Sequence, residues 1–501
     1  MKQPNQQHIL IAGGGTAGWM SAAYLARHFK NTHFKISLVA SEKMPSVGVG
    51  EATLPGIKDF YRTLGLSDKT VIERTQATVK LAISFEGWSK DKSAFFHPFG
   101  LYGQKQSNLP FHHCYYQLKQ SQPKLELDDF CLAAQLARHH KVLAQPTQNL
   151  GDWAVFDYAL HFDAGLYAKL LQDYAIEQGV CFIQDEITQI NQYDNGTIQS
   201  VSVKHSGVIA ADFFIDCTGF KQAIIRQTLN AELDDWSHWL SCNGAVVSSC
   251  EALKTKVPFT RSIAMPAGWR WQIPLQHRTG NGYVFNKDYI SVDQACAELI
   301  AHLPEKPLAD PRYIQFNTGR IKTPWLKNCL AIGLASGFLE PLESTSISMI
   351  ETALERFLQL CPPDLNQADM QLMAANEYNR QNEREALNIR DFIILHYAAS
   401  PKNDSDFWRA QKHLELPDSL LYKLNYFKQQ GQIIQFDWES FAPQSWLAIY
   451  HGFNIHPQAI SPLVKRIPPH NLLAGLSQIN QHIQQLIANA VTPEEFIARL
   501  P

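Results

Sequence analysis

The chain has 501 residues, and its 47 acidic and 44 basic residues give a formal net charge of -3 at pH 7. This length provides core for more than one domain, and the mixed charge makes neither nucleic acid nor an anionic membrane an expected partner. The first seven residues are polar, without the apolar stretch of a signal peptide, and no run reaches the ~18 apolar residues of a membrane helix. We therefore expect a cytoplasmic protein, a monomer or homodimer, that does not enter a membrane.

Cysteine and histidine spacing predicts no metal site. The nine cysteines stand singly, without C-x-x-C spacing, which is typical of reduced thiols in a cytosolic protein. The pairs His112–His113 and His139–His140 are adjacent in sequence, so they lack the i,i+4 spacing that places two imidazoles on one helical face. Packed or solvated histidines are the better interpretation.

The N-terminal segment carries a dinucleotide-binding pattern. The apolar run at 8–12 is typical of a strand buried on both faces of a parallel sheet, and 19–29 predicts a helix. Between them, G-x-G-x-x-G provides a tight turn, a backbone that approaches a pyrophosphate, and free N–H groups at the helix N-terminus. Strand, glycines and helix in this order favour a nucleotide site over a glycine turn without ligand. The expected cofactor contacts are Gly13, Gly15, Thr16, Ala17 and Gly18.

The second predicted strand, 34–40, should end in an acid that holds the adenosine ribose. Ala40 stands at that position, and Ser41 and Glu42 follow it. The ribose contact has either moved to Glu42 or been lost.

The remaining elements predict an α/β fold with a discontinuous nucleotide-binding domain. An amphipathic helix is expected over 157–178, then a strand at 180–183 and a hairpin at 195–196. Apolar strands that run into glycine turns follow at 212–219 and 328–337. We expect a Rossmann-like FAD-type module over 1–350, with an inserted substrate-side sheet from insertions at about 90–150 and 230–325. A mostly helical region, 351–501, is expected to close the substrate site.

Residues 269–274 spell WxWxIP. Two indoles two residues apart lie on the same face of an extended segment, and the closing proline ends ladder pairing. The result is a rigid, water-excluding wall without an acid, base or nucleophile. A plain aromatic core strand is the alternative, since large rings mostly bury for packing.

With these motifs in place, the chain resembles the flavin-dependent halogenases, typified by the tryptophan halogenases, over residues 9 to about 350. The G-x-G-x-x-G-W run at 13–19 resembles the family's opening FAD motif, 47–53 its strap over the flavin, and WxWxIP its hallmark. Segments 96–100, 216–220 and 337–345 complete the pattern. The further cofactor contacts that the resemblance implies are Val47, Gly48, Val49, Gly50, Glu51, Ala52, Leu334 and Ser344.

The resemblance implies a reaction in two places. Reduced FAD, supplied by a separate flavin reductase, meets oxygen to give a flavin hydroperoxide, and chloride or bromide attacks it to form hypohalous acid. The oxidant then passes to an electron-rich aromatic substrate. The wall that keeps this substrate from the flavin is formed by Trp269, Trp271, Ile273 and Pro274.

Two residues match the family's essential catalytic pair. Lys80 would hydrogen-bond hypohalous acid or carry the halogen as a haloamine, which requires the neutral amine that burial favours. An ordinary helix-surface lysine is the alternative. Glu343 would stabilise positive charge on the ring and take up its proton. Glu340 is close in sequence, and motif position favours Glu343.

Halide binding is implied at the backbone N–H groups of Thr345 and Ser346, at a turn that opens a helix running from Ser348. Many free-tryptophan halogenases carry glycine at the second position, so Ser346 is a departure that affects halide geometry or preference.

The substrate is predicted from a C-terminal departure. The free-tryptophan enzymes carry a Phe-Trp pair, whereas this chain has Phe441-Ala442. This argues for indole, a substituted indole, or a larger indole-containing or phenolic molecule. Trp438, Phe441 and Trp446 either contact this substrate or belong to the core.

Two other functions compete with the halogenase. One is a flavin monooxygenase that hydroxylates an aromatic substrate, and the other is a non-catalytic FAD-dependent binding protein. Neither requires WxWxIP, Lys80 and Glu343 together, which is why the halogenase is favoured.

Overall fold

The structure is a computed structural model that describes residues 6–41, 50–89, 94–105, 109–144 and 157–500. The chain forms two compact units, each built from three separated segments. The first unit comprises Met1–Ala77, Phe162–Asn243 and Gln315–Ala386, and the second comprises Thr78–His161, Gly244–Ile314 and Leu387–Pro501. The predicted division into 1–350 and 351–501 concerns which segments serve flavin and substrate, and it stays a prediction.

The strands, numbered in chain order, are Gln7–Ala12 (β1), Phe34–Ala40 (β2), Glu51–Ala52 (β3), Thr78–Lys80 (β4), Ala82–Glu86 (β5), Phe95–Pro98 (β6), Ala159–Phe162 (β7), Cys181–Gln184 (β8), Ile187–Gln192 (β9), Ile198–Val203 (β10), Gly207–Ala210 (β11), Phe213–Asp216 (β12), Leu233–Asp235 (β13), Gly244–Glu251 (β14), Phe259–Met265 (β15), Gly268–Pro274 (β16), Arg278–Phe285 (β17), Arg312–Gln315 (β18), Gly319–Ile321 (β19), Trp325–Leu326 (β20), Cys329–Ala331 (β21) and Gly337–Phe338 (β22).

The α-helices are Thr16–His28 (α1), Ile57–Thr63 (α2), Asp68–Thr75 (α3), Phe111–Lys119 (α4), Leu132–Arg138 (α5), Ala164–Glu177 (α6), Val292–Ala301 (α7), Thr345–Leu360 (α8), Ala368–Ala399 (α9), Asp406–Ala410 (α10), Asp418–Gln430 (α11), Pro443–Gly452 (α12), Pro469–Ala488 (α13) and Pro493–Ala498 (α14). From α8 onward the described segments are helices and connections, which confirms the predicted helical C-terminal region. Within the described ranges, no helix combines the length and apolarity needed to cross a membrane.

The first unit is centred on a mostly parallel sheet in the order β20-β21-β12-β1-β2-β8. Strand β1 pairs in parallel with β12 and β2, with Ile9 opposite both Phe213 and Ile36. The five apolar strands predicted from sequence all lie in this one sheet, where their side chains pack into a shared core. The predicted mixed α/β class with a parallel sheet is therefore confirmed.

One predicted helix begins later than expected. The segment 157–178 was predicted to be helical throughout, but Ala159–Phe162 forms β7 and the helix begins at Ala164. The side chain of Asp163 accepts hydrogen bonds from the N–H groups of Gly165 and Leu166, so it caps the helix. The apolar spacing before Asp163 belongs to a buried strand, and the prediction was wrong there.

The second unit contains a seven-stranded sheet in the order β18-β14-β17-β16-β15-β5-β6. Strands β14 to β17 form antiparallel pairs, whereas β15 pairs with β5 in parallel. Helix α7 packs on this sheet through Ala295 and Leu299. The WxWxIP segment is therefore an interior strand, with β15 on one side and β17 on the other.

Candidate active site

The glycine turn between β1 and α1 has no room for side chains at two positions. Gly13 has φ +111°, and a Cβ there would lie 2.3 Å from the carbonyl oxygen of Cys217. A Cβ on Gly18 would lie 1.9 Å from the carbonyl oxygen of Gly13. Glycine at these positions is required by the turn and by close packing of helix on strand.

Gly15 differs, because a Cβ there would meet no atom within 4 Å. It is the N-cap of α1, has no side-chain cap, and precedes the first helical residues Thr16 and Ala17. The N–H groups of a first helical turn lack intrahelical partners, and the helix dipole favours an anion there. Open space beside uncapped N–H groups fits a dinucleotide pyrophosphate.

The end of β2 is packed closely against this turn. A Cβ on Gly14 would lie 2.5 Å from the Cβ of Ala40, so the strand end where an acid was expected touches the glycine loop. Glu42, the predicted alternative ribose contact, lies outside the described residues, as do Val47, Gly48 and Val49.

Asp216, at the end of β12, holds the following loop in place through hydrogen bonds. Its buried carboxylate accepts hydrogen bonds from the N–H and hydroxyl of Thr218 and from the N–H groups of Ile224 and Ile225. The loop after β12 is thereby folded back on the strand end.

Leu334 follows a second tight turn, which lies next to the N-terminus of α1. Gly333 has φ +68°, and a Cβ there would lie 2.7 Å from the Cβ of Ala17. Leu334 also borders a cavity of about 190 Å³ whose other walls include Phe220, Gln222 and Phe338. Gly333, the residue before Leu334, therefore packs against the first turn of α1.

The strand Glu51–Ala52 follows Gly50, which has φ +122°. Desolvation raises the pKa of the Glu51 carboxyl to about 7. Glu51 can therefore exchange a proton near neutral pH, unlike an exposed glutamate.

Two glutamates lie directly before the N-terminus of α8. Glu340 and Glu343 are fully buried, and Ser344 has φ +61°. Helix α8 begins directly after it, at Thr345 and Ser346, without a side-chain cap. The helix thus begins three residues earlier than the predicted Ser348, and the two N–H groups predicted to bind halide lie in an anion-favouring first turn.

In the second unit, Lys80 lies in β4 and is fully buried, so the helix-surface alternative is wrong. Its Nζ is 4.8 Å from the centroid of the Phe99 ring, and the N–H of Phe99 donates to the carbonyl of Leu81 at 2.8 Å. Phe99 belongs to the 96–100 motif, but sequence reasoning gave this residue no role.

The two indoles of β16 lie on one face, as predicted, with ring centroids 6.0 Å apart. Trp269 is buried and Trp271 is partly exposed. On β17, opposite Trp271, a Cβ on Gly282 would lie 2.1 Å from the Trp271 ring, so this indole occupies the space that a side chain at position 282 would need. Ile273 is buried, and the strand ends at Pro274.

The three C-terminal aromatics separate into two groups. Phe441 is buried and stacks on Phe392, with the ring centroids 3.9 Å apart. Trp446 is also buried, and its Nε1–H donates a hydrogen bond to the Glu439 carboxylate at 3.3 Å. Both belong to the core of the second unit. Trp438 is 43 % exposed and has φ +61°, so of the three it alone presents its ring to solvent.

In the part of the chain that the structure describes, no three histidine, cysteine, aspartate or glutamate side chains come together closely enough to hold a metal ion. The groups that are present can hold a dinucleotide, bind a small anion through backbone N–H groups, and supply a buried amine and buried carboxylates.

Three comparisons with known proteins agree on one family. The family model described as tryptophan halogenase matches residues 8–469. Among solved structures, BrvH, a flavin-dependent halogenase from Brevundimonas sp. BAL3, has 42% identity and a TM-score of 0.94, covering 99% of this chain and 100% of that chain. Xcc4156, a flavin-dependent halogenase from Xanthomonas campestris, has 36% identity and a TM-score of 0.94, covering 99% of each chain.

A curated relative agrees as well. Tryptophan 6-halogenase SttH from Streptomyces toxytricini is 30% identical over 526 residues, covering 100% of this chain and 99% of the relative. The chain therefore belongs to the tryptophan halogenase family, whose members are flavin-dependent oxidoreductases.

Proposed function

We propose that this enzyme is a two-component halogenase that uses reduced FAD, taken from a separate reductase, to place chloride or bromide on an indole-type substrate. The observation that carries the proposal is the fully buried Lys80, whose ammonium faces an aromatic ring in the same compact unit as the Trp269–Pro274 strand. Neither hydroxylation nor simple flavin binding needs an amine in such a place.

The first unit provides a Rossmann-like flavin site. The open position at Gly15 and the uncapped start of α1 support a pyrophosphate contact that also involves Gly13, Thr16, Ala17 and Gly18. Gly50, Glu51, Ala52, Leu334 and Ser344 are further contacts in this proposal. When bound, reduced FAD supplies, with oxygen, the two-electron oxidation of halide to hypohalous acid.

The halide is held by the backbone N–H groups of Thr345 and Ser346. These open α8 without a side-chain cap, and the left-handed Ser344 turns the chain into the helix. A halide needs donors and a positive dipole end, which a first helical turn supplies.

Lys80 delivers the halogen. Its nitrogen either donates a hydrogen bond to the oxygen of hypohalous acid or, when neutral, takes the halogen with loss of water. In both cases the ring carbon gains the halogen as a cation, and oxygen leaves as water. Burial keeps competing solvent away from this nitrogen.

Glu343 is the proposed base. A halogenated ring carries positive charge until it loses the proton from the substituted carbon, and a buried carboxylate stabilises this charge and accepts the proton. The wall of Trp269, Trp271, Ile273 and Pro274 acts by exclusion, since it offers aromatic and apolar surface without a reactive group.

The substrate proposal rests on the C-terminal aromatics. Phe441 stacks within the core, and Ala442 follows it as the N-cap of α12. An exposed Phe-Trp pair is therefore not available at this place to hold the amino-acid part of free tryptophan. We propose indole, a substituted indole or a larger indole-containing molecule.

The test incubates the protein with FAD, a flavin reductase, bromide or chloride, and a panel of indoles that includes free tryptophan. Mass spectrometry should find products in which halogen replaces hydrogen, with turnover of indole or substituted indoles above that of tryptophan. Products that gain only oxygen would instead favour an aromatic monooxygenase, and FAD binding without any product would favour a binding protein. Reactions without halide are the control.

A further inference from the structure

Hydrogen bonds in the second unit link the strand of Lys80 to the end of the WxWxIP strand. The hydroxyl of Thr78 donates to the carbonyl oxygen of Pro274 at 2.6 Å, and the hydroxyl oxygen of Thr78 lies 3.1 Å from Nδ1 of His161. Nε2 of His161 lies 2.9 Å from the hydroxyl of Thr260. Four segments, β4, β7, β15 and the end of β16, therefore share one buried network.

The proton count of this network determines the tautomer of His161. Thr78 has a single hydroxyl proton, and it points to Pro274, so the oxygen must accept from His161. His161 therefore carries its proton on Nδ1. Nε2 is then free to accept the proton of Thr260, and both ring nitrogens are satisfied with the imidazole neutral.

The pairing of β4 with β7 places this imidazole beside Lys80. His161 is opposite Thr78, and Lys80 is opposite Ala159. Thr78 and Lys80 are two residues apart on a strand and share a face, so His161 is a diagonal neighbour of Lys80. Both side chains are fully buried. Burial and the nearby Lys80 ammonium hold the pKa of His161 well below its usual range, which agrees with a neutral ring.

We propose that His161 is a positioning residue for Lys80, which as a neutral Nδ1–H imidazole fixes the strand of the lysine to the Pro274 end of the tryptophan wall. This inference rests on the proposed function of Lys80. It deepens that function by naming the side chain that determines where the amine stands relative to the wall. An error of about 1 Å in such a placement is enough to slow a reaction roughly 100-fold.

Three variants distinguish the loss of these hydrogen bonds from a change in side-chain volume. His161→Phe keeps the ring volume and removes both hydrogen bonds, whereas His161→Asn retains an N–H near the position of Nδ1. Thr78→Val removes the hydroxyl that joins His161 to Pro274. We expect halogenated product per reduced flavin consumed to fall by about tenfold or more in His161→Phe and Thr78→Val, and much less in His161→Asn.

A matched control comes from the same unit. His112 is also buried, and its Nε2 lies 2.8 Å from the carbonyl oxygen of Gly431, so His112→Phe likewise removes a buried histidine. It should leave the ratio of product to flavin consumed unchanged. Flavin binding should stay the same in every variant, since the expected loss is in delivery.

The tautomer provides a test that does not depend on activity. In ¹⁵N-histidine NMR at neutral pH, the signals lost in His161→Asn should be those of a neutral ring with the proton on Nδ1. An Nε2–H ring or an imidazolium would overturn the inference, as would an unchanged product ratio in both His161→Phe and Thr78→Val. A wild-type protein that forms no halogenated product would instead refute the proposed function, and the NMR result would still report on the network.

Discussion

The ammonium group of Lys80 lies 4.8 Å from the centroid of the Phe99 ring, and both residues belong to the second unit. A cation over an aromatic face is attracted by the ring quadrupole, more strongly when water is excluded. A main-chain hydrogen bond also holds the two segments together, because the N–H of Phe99 donates to the carbonyl of Leu81, the residue after the lysine. The amine is therefore held against an aromatic surface by both side chain and main chain.

The glycine turn allows a prediction that separates flavin binding from folding. Gly15→Ala adds a methyl group where no protein atom lies within 4 Å, so the fold should tolerate it. The same methyl should enter the space proposed for the pyrophosphate and weaken FAD binding by about tenfold or more. Flavin titration and thermal unfolding measure the two effects.

Gly18→Ala is the matched control for that experiment. Its Cβ would lie 1.9 Å from the carbonyl oxygen of Gly13, so this variant should lose thermal stability whether or not flavin is present. Equal flavin affinities for Gly15→Ala and wild type would count against the proposed phosphate position.

Gly282 is predicted to keep Trp271 in place. Gly282→Ala puts a Cβ 2.1 Å from the Trp271 ring, so the indole must leave its position. We expect a loss of about 1–3 kcal/mol in unfolding free energy and more hydroxylated or uncoupled product. Denaturant unfolding and product analysis test these effects.

A double-mutant cycle checks the cause. In a Trp271→Leu background, Gly282→Ala should cost less stability, because the ring it collides with is gone. If Gly282→Ala lowers the unfolding free energy equally in both backgrounds, collision with the indole does not cause the loss of stability.

The two buried glutamates before α8 should differ in function. Glu343→Gln keeps shape but removes the base, so halogenation should fall by about 10² to 10⁴ while reduced flavin is still consumed. Glu340→Gln, equally buried, should cause a smaller loss. A steady-state assay with product quantified by chromatography compares them, and a larger loss from Glu340→Gln would reverse the assignment.

Glu51 gives a pH dependence of stability. Burial raises the pKa of this carboxyl from 4.5 to about 7, so between these values the folded state binds the proton more tightly than the unfolded state. Folding should therefore lose stability as pH rises through this window. Glu51→Gln removes the effect, because glutamine does not titrate. The difference in unfolding temperature, variant minus wild type, should therefore be more positive at about pH 8 than at about pH 5. Glu186→Gln, at an exposed position, should show no such change.

The nucleotide sheet could be predicted because its strands carry local signals. Short apolar runs that end in glycine turns are recognisable without knowing their neighbours, and all five entered one sheet. The hairpin at Asn195–Gly196 likewise followed from its turn residues, and Tyr193 donates to Thr197 across it. The segment before Asp163 failed because its apolar spacing fits a helix as well as a buried strand.

The surroundings of the proposed catalytic lysine could not be predicted, because they come from distant parts of the chain. Lys80 pairs with Ala159 and faces Phe99, and neither contact has a local signature. A weaker signal was available for the wall. Gly280 and Gly282 lie two residues apart in β17, on the same face of the strand, and glycines within a strand often mark close approach by a neighbouring group.

The most direct test of halogen delivery compares wild type with Lys80→Ala at equal consumption of reduced flavin, with bromide and an indole substrate. Mass spectrometry measures brominated product per flavin oxidised. The ratio should fall by at least about 100-fold in the variant while flavin oxidation and FAD binding persist. A variant that brominates at the wild-type ratio would contradict the role of Lys80.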